Sequence, residues 1–531
     1  LTGGKKTGAP RQQTLRALIE WSYDLLSDKE KILFTKLSVF SGGWSLEAAE
    51  EICPDKDIEK YEVIDLMTGL FEKSLIISTG ISGIRRFSLL ESLKEYGSEK
   101  LIESYNLFKK HFVFYSGIAS QEEMASKGYD EIEWVKAAAQ DKENIREAVS
   151  WAIENETEKA YKIVFDTSIL YRITGLALEG NQNCQRILNK NKFADEYSKA
   201  LIQSTKSGLL YDLGSITECF NLSTQSLSVF RKLNMKKEIV DCLNNLGNIA
   251  HINNDFEKKK LYNEEAYAIS RENDFKKELV TSLYNLSFCF PNAENLELRK
   301  KYKEDALKIS REIKNTTMTI TILASLGKFE TDFGIIEKAK LYTNESLILA
   351  KQFNNQNFIS INLSNFGNIY VKEKDFENAE YYLCESIAIS KEYGLVNSYP
   401  LYKDLAILFK EKGDYEKALL NYKESLKYGL KFGSSFFTKT ILSGMGLSFK
   451  NSGRNDLSLR IYSIIENLYP YSDKNEKDSK QKMIISDQNK IILQLREILG
   501  EKIHEQYKKE AENLKTEEIE KYILKNFFNY L

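Results

Sequence analysis

The side chains best placed to do chemistry in this sequence are asparagines that recur with a period. Asn245, Asn285 and Asn365 share one column, with Asp404 at the equivalent place in a later unit, and Asn248 and Asn368 form a second column three residues on. An amide side chain both donates and accepts, so a ladder of amides can hold the backbone of an extended peptide whatever its sequence. The same groups could instead bond a neighbouring helix or water, and the spacing leaves both readings open. Either way the chemistry is binding, not bond-breaking.

Catalytic patterns are missing. A phosphate-cradling loop needs G-x-x-x-x-G-K-[ST], and neither LTGGKKTGAP nor GMGLSFKNSG has that spacing. No G-x-S-x-G, H-E-x-x-H or kinase signature occurs, so the chain is not expected to be an enzyme by itself. The six cysteines form no C-x-x-C pair and only three histidines exist, so neither a metal site nor a disulfide framework is expected. No cofactor is expected in this chain. The cysteines read as small apolar residues in a reducing compartment, which points to the cytoplasm. Lys+Arg of 75 against Asp+Glu of 77 gives a net charge of −2, which argues against a dedicated nucleic-acid or anionic-membrane binder. No apolar run is long enough to span a bilayer, and the opening residues show no charged–apolar–cleavable order, so no signal peptide is expected in them. The first residue is Leu1 and not Met, which reads as a fragment of a longer chain.

The elements that must position the asparagines are visible as a repeat. Lines such as LNNLGNIA, LYNLSFCF, LASLGKFE and LSNFGNIY align on a small residue: Gly247, Ser287, Gly327, Gly367, Ala406 and Gly446. The step is 40 residues, with one step a residue shorter. Lys259, Arg299, Ala339, Ala379, Ala418 and Ser458 form another column, Tyr262, Tyr302, Tyr342 and Tyr382 a third, and Glu265, Asp305, Glu345, Glu385 and Glu424 a fourth. Each unit predicts two helices and a turn. Leu243, Leu246 and Ile249 mark one apolar face, and the small residue lets the second helix approach. Gly413 and Asp414 suit a helix stop and an N-cap. Only five prolines in 531 residues fit long helices. One hairpin cannot bury its face alone, so neighbours must stack.

The unit resembles the tetratricopeptide repeat. Residues 405–425 are nearest the pattern, with Ala406, Phe409, Gly413, Tyr415, Ala418, Tyr422 and Ser425 at the family's offsets. The units are longer than the usual ~34 residues. Lys259 and Arg299 replace the alanine of the second helix, so packing there is expected to be looser or shifted. A degenerate unit is expected around 208–233, the array over 196–475, and capping helices over 476–531. The resemblance implies a superhelix whose concave groove, lined by first helices, binds a protein or peptide. The tyrosine column reads as packing within the hairpin.

The N-terminal segment differs. Ser27 and Glu30 form a capping box, Ser45 is a second N-cap, YEVIDLMTGLFEKSLI is a third helical run, and LIISTGISGIRRFSLL breaks at Gly80 and Gly83 like a hairpin. Three helices and a hairpin are the order of a winged helix, expected over 1–105, with a helical bridge over 106–195. The wording resembles the segment that follows the ATPase core in bacterial signal-transduction ATPases with numerous domains, relatives of AfsR- and MalT-like regulators and of cyclase- or kinase-linked ATPases. Leu15, Arg16, Trp21, Ser22, Leu25, Leu26, Leu37, Ser38, Val39, Phe40, Gly42, Gly43, Ala48 and Ala49 carry the match, which resumes at Lys73, Ser74, Leu75, Phe87, Leu89, Leu90, Glu91, Glu95 and Tyr96. DKENIREAVSWAI resembles the family's bridge into the repeats. The resemblance implies an ATPase core before Leu1, against which the winged helix packs and whose nucleotide state it reports. Arg86 and Glu91 are the implied sensing residues. Where relatives carry Met-His-Asp, this chain reads Leu89-Leu90-Glu91, so the histidine is absent and only the acid remains.

The expected fold is mainly α, a small winged helix followed by a tetratricopeptide-like α-solenoid. The expected function is the regulatory and sensor arm of a signalling ATPase, binding a protein, peptide or small inducer through the superhelix and transmitting to an N-terminal ATPase core. The alternatives are a free-standing peptide-binding adaptor and a DNA-binding regulator. The last is disfavoured because the third helix is acidic and apolar, leaving Arg85 and Arg86 alone to meet phosphate.

Overall fold

The computed structural model describes residues 10–81, 84–101, 104–253, 255–290, 295–393, 398–431, 435–468, 479–514 and 518–528. The glycine-rich opening LTGGKKTGA and the expected hairpin break at Gly83 lie outside the described residues. The chain forms two compact units, residues 1–170 with 186–194 and residues 171–185 with 195–531.

The first unit begins with α1 (Pro10–Asp24) and α2 (Asp28–Leu37). The Ser27 hydroxyl accepts from the Glu30 N–H and the Glu30 carboxylate accepts from the Ser27 N–H, so the capping box forms as read. A two-residue strand β1 (Trp44–Ser45) follows, then α3 (Leu46–Ile52), capped by Ser45, and α4 (Val63–Glu72). The hairpin is β2 (Ile77–Ile81) and β3 (Ile84–Ser88). Gly80 lies inside β2, opposite Arg85, and does not break the strand as expected. Strand β1 was not legible in the sequence. It pairs antiparallel with β3, Trp44 opposite Phe87 and Ser45 opposite Arg86, giving the sheet order β1-β3-β2. The approach needs a glycine: Gly43 has φ +94°, and a Cβ there would stand 2.7 Å from the Phe87 carbonyl. Leu33, Phe34, Leu37, Trp44, Ala49, Met67 and Leu70 fill the core, and Trp44 stacks on Phe40 at 5.1 Å. The unit continues with α5 (Glu91–Glu99), α6 (Tyr105–Ala119), α7 (Gln121–Ser126), α8 (Glu131–Gln140) and α9 (Lys142–Asn155). The unit boundary runs through α10 (Ala160–Ile173) and α11 (Ala177–Lys190).

The second unit is an α-solenoid of paired helices. The pairs are α12 (Glu196–Asp212) with α13 (Ile216–Lys232), α14 (Lys236–Ile252) with α15 (Phe256–Glu272), and α16 (Lys276–Leu286) with α17 (Leu296–Glu312). They continue as α18 (Thr316–Phe333) with α19 (Ile336–Gln352), α20 (Gln356–Glu373) with α21 (Phe376–Glu392), α22 (Ser398–Glu411) with α23 (Tyr415–Lys431), and α24 (Ser435–Asn451) with α25 (Asn455–Leu468). The unit expected to be degenerate is regular, since its first helix starts at Glu196, in step with Lys236, Lys276, Thr316 and Gln356. The turns between pairs repeat too, with Asn234, Asp274, Lys314 and Asn354 all in the left-handed region.

The small-residue column does what its spacing predicts. A Cβ on Gly247 would lie 2.6 Å from the Asn263 side chain, and one on Gly367 2.5 Å from Leu383. Both partners sit sixteen residues on, in the second helix of the pair. Where the column carries serine the approach becomes a hydrogen bond: Ser207 to Ser223 at 2.7 Å and Lys303 to Ser287 at 2.9 Å. Gly367→Val should therefore destabilise the array by about 1–3 kcal/mol, since the branched side chain must displace Leu383 from a packed core. A lowered urea midpoint checks this, and an unchanged midpoint would show that the pair separates freely. The tyrosines pack within their pairs, Tyr382 stacking on Phe366 and Tyr370 at 5.4 Å and Tyr302 on Phe290 at 6.0 Å.

The pair next to Lys259 departs from the regular pattern. Helix α16 stops at Leu286 after 11 residues, where α14 runs for 17. The buried Lys259 ammonium donates to the Phe288 carbonyl at 3.0 Å, beyond the shortened helix. Lys303 lies 3.7 Å from the Phe288 ring centroid. At the far end α26 (Ser479–Leu499), α27 (Glu501–Glu512) and α28 (Ile519–Phe527) close the core, contributing Ile492, Leu495, Ala511, Ile523 and Phe527. Five of the six cysteines are buried and all are free. Burial pushes the Cys53, Cys184 and Cys242 thiols up to about 12, which makes them unreactive. No helix among the described residues is long and apolar enough to cross a membrane.

Candidate ligand groove and the N-terminal clamp

First helices of successive pairs touch one another, and second helices approach each other less closely. The array therefore curves with α12, α14, α16, α18, α20 and α22 on its inner face. The curvature is tight enough that Asn355, which caps α20, donates its amide to the Ile173 carbonyl at 3.1 Å.

The asparagine columns lie on this face but do not act alike. Asn285 donates to Asn244 Oδ1 at 3.2 Å, from α16 to α14. Asn365 donates to the Ala324 carbonyl at 3.0 Å, from α20 to α18. Asp404 accepts from Asn368 at 2.8 Å and from Ser364 at 3.0 Å, from α20 to α22. These groups are rungs between neighbouring first helices, as buried polar atoms require. Burial alone would raise the Asp404 carboxyl, but Lys403, Lys328 and these two donors hold it below its ordinary value. Asn245 and Asn248 differ: both are half-buried, and neither makes a hydrogen bond among the described residues.

Sequence reasoning missed two groups on the same face. Arg172 reaches from α10 over Gly208 and pairs with Asp212, Nε to Oδ2 at 2.7 Å. Asp241, one turn before Asn245, is exposed and unpaired among the described residues. Desolvation by the surrounding groove, then Glu278, push its carboxyl up to about 7. The signal for Asp241 was present: Asp241, Asn245 and Asn248 form a polar stripe on an otherwise apolar helix. Nothing in the sequence pointed to Arg172.

In the first unit, Arg86 is buried and gives its guanidinium to Asp141 at 2.7 Å and to the Gly43 carbonyl at 3.3 Å. Asn144 completes a clamp. Its amide donates to the Gly43 carbonyl at 2.7 Å, and its oxygen accepts from the Ser41 N–H at 2.7 Å and lies 3.3 Å from His111 Nε2. Burial lowers His111 to about 4, so the ring is neutral at pH 7, and Nε2 carries the proton if it donates to that oxygen. The Asp and Asn of the bridge motif DKENIREA thus tie α9 to the hairpin and to the loop before β1. Arg86, expected as a nucleotide sensor, is committed inside this clamp. Glu91 is exposed in the first turn of α5, and Leu90 beside it is exposed as well. The other exposed apolar groups of this unit include Leu15, Leu18 and Trp21 of α1, Leu25 just after it, and Ile64 and Phe71 of α4.

One cluster of possible metal ligands occurs among the described residues, Glu501, His504 and Glu505 on α27. Arg496 already pairs with Glu501 at 2.6 Å, and His504 Nε2 lies 3.4 Å from Glu466.

No protein-family model matches the chain. A protein of Mycobacterium tuberculosis named for an HTH-type transcriptional regulator is 35% identical over 157 residues, which is 29% of this chain and 18% of that protein. An uncharacterized protein of Mycobacterium bovis is 36% identical over 106 residues, 20% of this chain and 27% of that protein. The matched region therefore spans well under a third of either relative. Among solved structures, a Rap protein complexed with competence and sporulation factor has a TM-score of 0.48 at 13% identity, over 61% of this chain and 97% of that one. A signal transduction ATPase with a tetratricopeptide repeat sensor from Pyrococcus horikoshii has a TM-score of 0.43 at 14% identity, over 96% of this chain and 68% of that one.

Proposed function

We propose that this chain is the sensing and transmitting arm of a signalling ATPase, with the solenoid as receptor for a peptide or protein segment and the first unit as the contact to an ATPase core. The observation that carries the reading is the inner face of α14, where polar groups stay without internal partners while equivalent groups elsewhere bond the next helix. Free donors and acceptors in a groove are what a bound backbone needs. The exposed apolar groups of α1 and α4 support the second half of the reading, since a helix stripe of Leu15, Leu18 and Trp21 gains most by covering against another protein surface. The catalytic chemistry of such a switch belongs to the core and not to this chain.

Two measurements test this. The isolated chain should bind no ATP at millimolar concentration, and tight ATP binding would sink the proposal. In a chain that carries its ATPase core, Trp21→Ala with Leu18→Ala should change basal ATP turnover several-fold and leave peptide binding intact. Unchanged turnover with binding retained favours the free-standing adaptor.

The mycobacterial relative's name raises DNA binding as a second reading. The outward side chains of α4 include Ile64, Asp65, Thr68, Phe71 and Glu72, none of them basic. A DNA-reading helix would present Arg or Lys there. Duplex affinity that falls steeply with salt would support that reading against ours.

A further inference from the structure

Helix α14 differs from its neighbours in one respect. Its open stripe runs Glu238, Asp241, Asn245, Asn248, and the last three make no hydrogen bond or close ion pair among the described residues. Residues at i, i+4 and i+7 share one face of a helix, within ~10 Å along its axis. A segment of about three extended residues covers that distance. Elsewhere the same columns are spent, as Asn285, Asn365 and Asn368 show.

The charge around this stripe is uneven. Two basic groups, Arg172 and Lys277, face four carboxylates, Asp212, Asp241, Glu238 and Glu278. Arg172 is already committed to Asp212, and Glu238 accepts from the Tyr197 hydroxyl at 2.8 Å. Asp241 makes no ion pair within hydrogen-bond reach, and Lys277 and Arg172 act on its carboxylate only at longer range.

Resting on the reading of the solenoid as a peptide receptor, we propose that α14 is the specificity-setting subsite: Asp241 takes a cationic group of an extended peptide, while Asn245 and Asn248 take its backbone. The cation is an ammonium or guanidinium, carried on a Lys or Arg side chain or as a free amino terminus. The pairing supplies a close cation to a carboxyl whose ionised form is disfavoured by desolvation and by the nearby Glu278 and Glu238. The amides supply donor and acceptor to adjoining peptide groups and so add affinity without choosing side chains.

The test uses the full chain, immobilised, and a randomised pentapeptide pool offered with free and with acetylated amino termini. Retained peptides are sequenced by mass spectrometry. The expected result is several-fold enrichment of Lys or Arg at one position, or enrichment that disappears on acetylation, which assigns the cation to the terminus. Asp241→Asn should abolish that preference and weaken the selected peptides about tenfold, with its melting curve unchanged. Asn245→Ala and Asn248→Ala should weaken all retained peptides alike. Peptides retained without a cation preference, or a preference that survives Asp241→Asn, overturn this assignment and leave the receptor reading standing. A pool from which nothing is retained overturns the receptor reading and this inference with it.

Discussion

Arg86→Ala should remove about 3–5 kcal/mol from the stability of the first unit, because it leaves Asp141 buried and without its counterion. Both partners are nearly closed to solvent, at 8% exposure each, so water cannot replace the lost guanidinium. The Gly43 carbonyl loses one of its two donors as well, keeping the Asn144 amide. Replacing both charges, as Arg86→Met with Asp141→Leu, should recover much of the loss, since the pair's own attraction is largely cancelled by the cost of desolvating it. The readout is clean: Trp21, Trp44, Trp134 and Trp151 are the four tryptophans of the chain, and all lie in the first unit. Fluorescence in urea therefore reports this unit without the solenoid. A loss below about 1 kcal/mol would show that the pair is solvated like a surface ion pair. The outcome also bears on transmission. A guanidinium locked into Asp141 reaches phosphate only if the clamp between hairpin and α9 opens, so Asp141→Asn should loosen the same clamp.

Lys259→Met should give an array whose stability advantage over the native chain shrinks by on the order of 2–3 kcal/mol between pH 7.5 and 10. The Lys259 side chain is buried, and desolvation lowers it from 10.5 to about 8. In the unfolded chain it keeps its ordinary value, so between pH 8 and 10.5 the unfolded state binds more protons. Stability then rises with pH through that window, and below it the full penalty of burying the charge stands. Methionine fills the same volume and has no such penalty at any pH. The bond to the Phe288 carbonyl is lost in the variant, but that cost does not vary with pH. The comparison must be with the native chain at each pH, because buried thiols such as Cys242, pushed up to about 12, make every form less stable in alkali. A pH-independent difference in urea midpoint would mean that the ammonium stays charged in the fold, held by the Phe288 ring and carbonyl.

Much of this molecule was written locally. The capping box at Ser27 and Glu30 involves residues three apart, and a helix start depends on nothing further away. The small column is also local in effect, since Gly247 and Gly367 meet side chains sixteen residues on, across one turn. Strand β1 escaped notice because two residues carry no alternation to read, and its existence depends on β3 forty residues later. The partner of Arg86 in β3 was hidden for a related reason: Asp141 is presented by α9, which begins more than fifty residues later.

The sequence by itself determined the period, the pairing of helices, their caps and the face on which the asparagines lie. These follow from 3.6-residue periodicity and turn chemistry, which act over a few residues. Only the tertiary structure decided which of those asparagines remain free. Asn285, Asn365 and Asn368 each find a partner on a helix about forty residues away, and Asn245 and Asn248 find none. That difference depends on the spacing and tilt of successive first helices, which the packing of the whole array sets and no single repeat encodes.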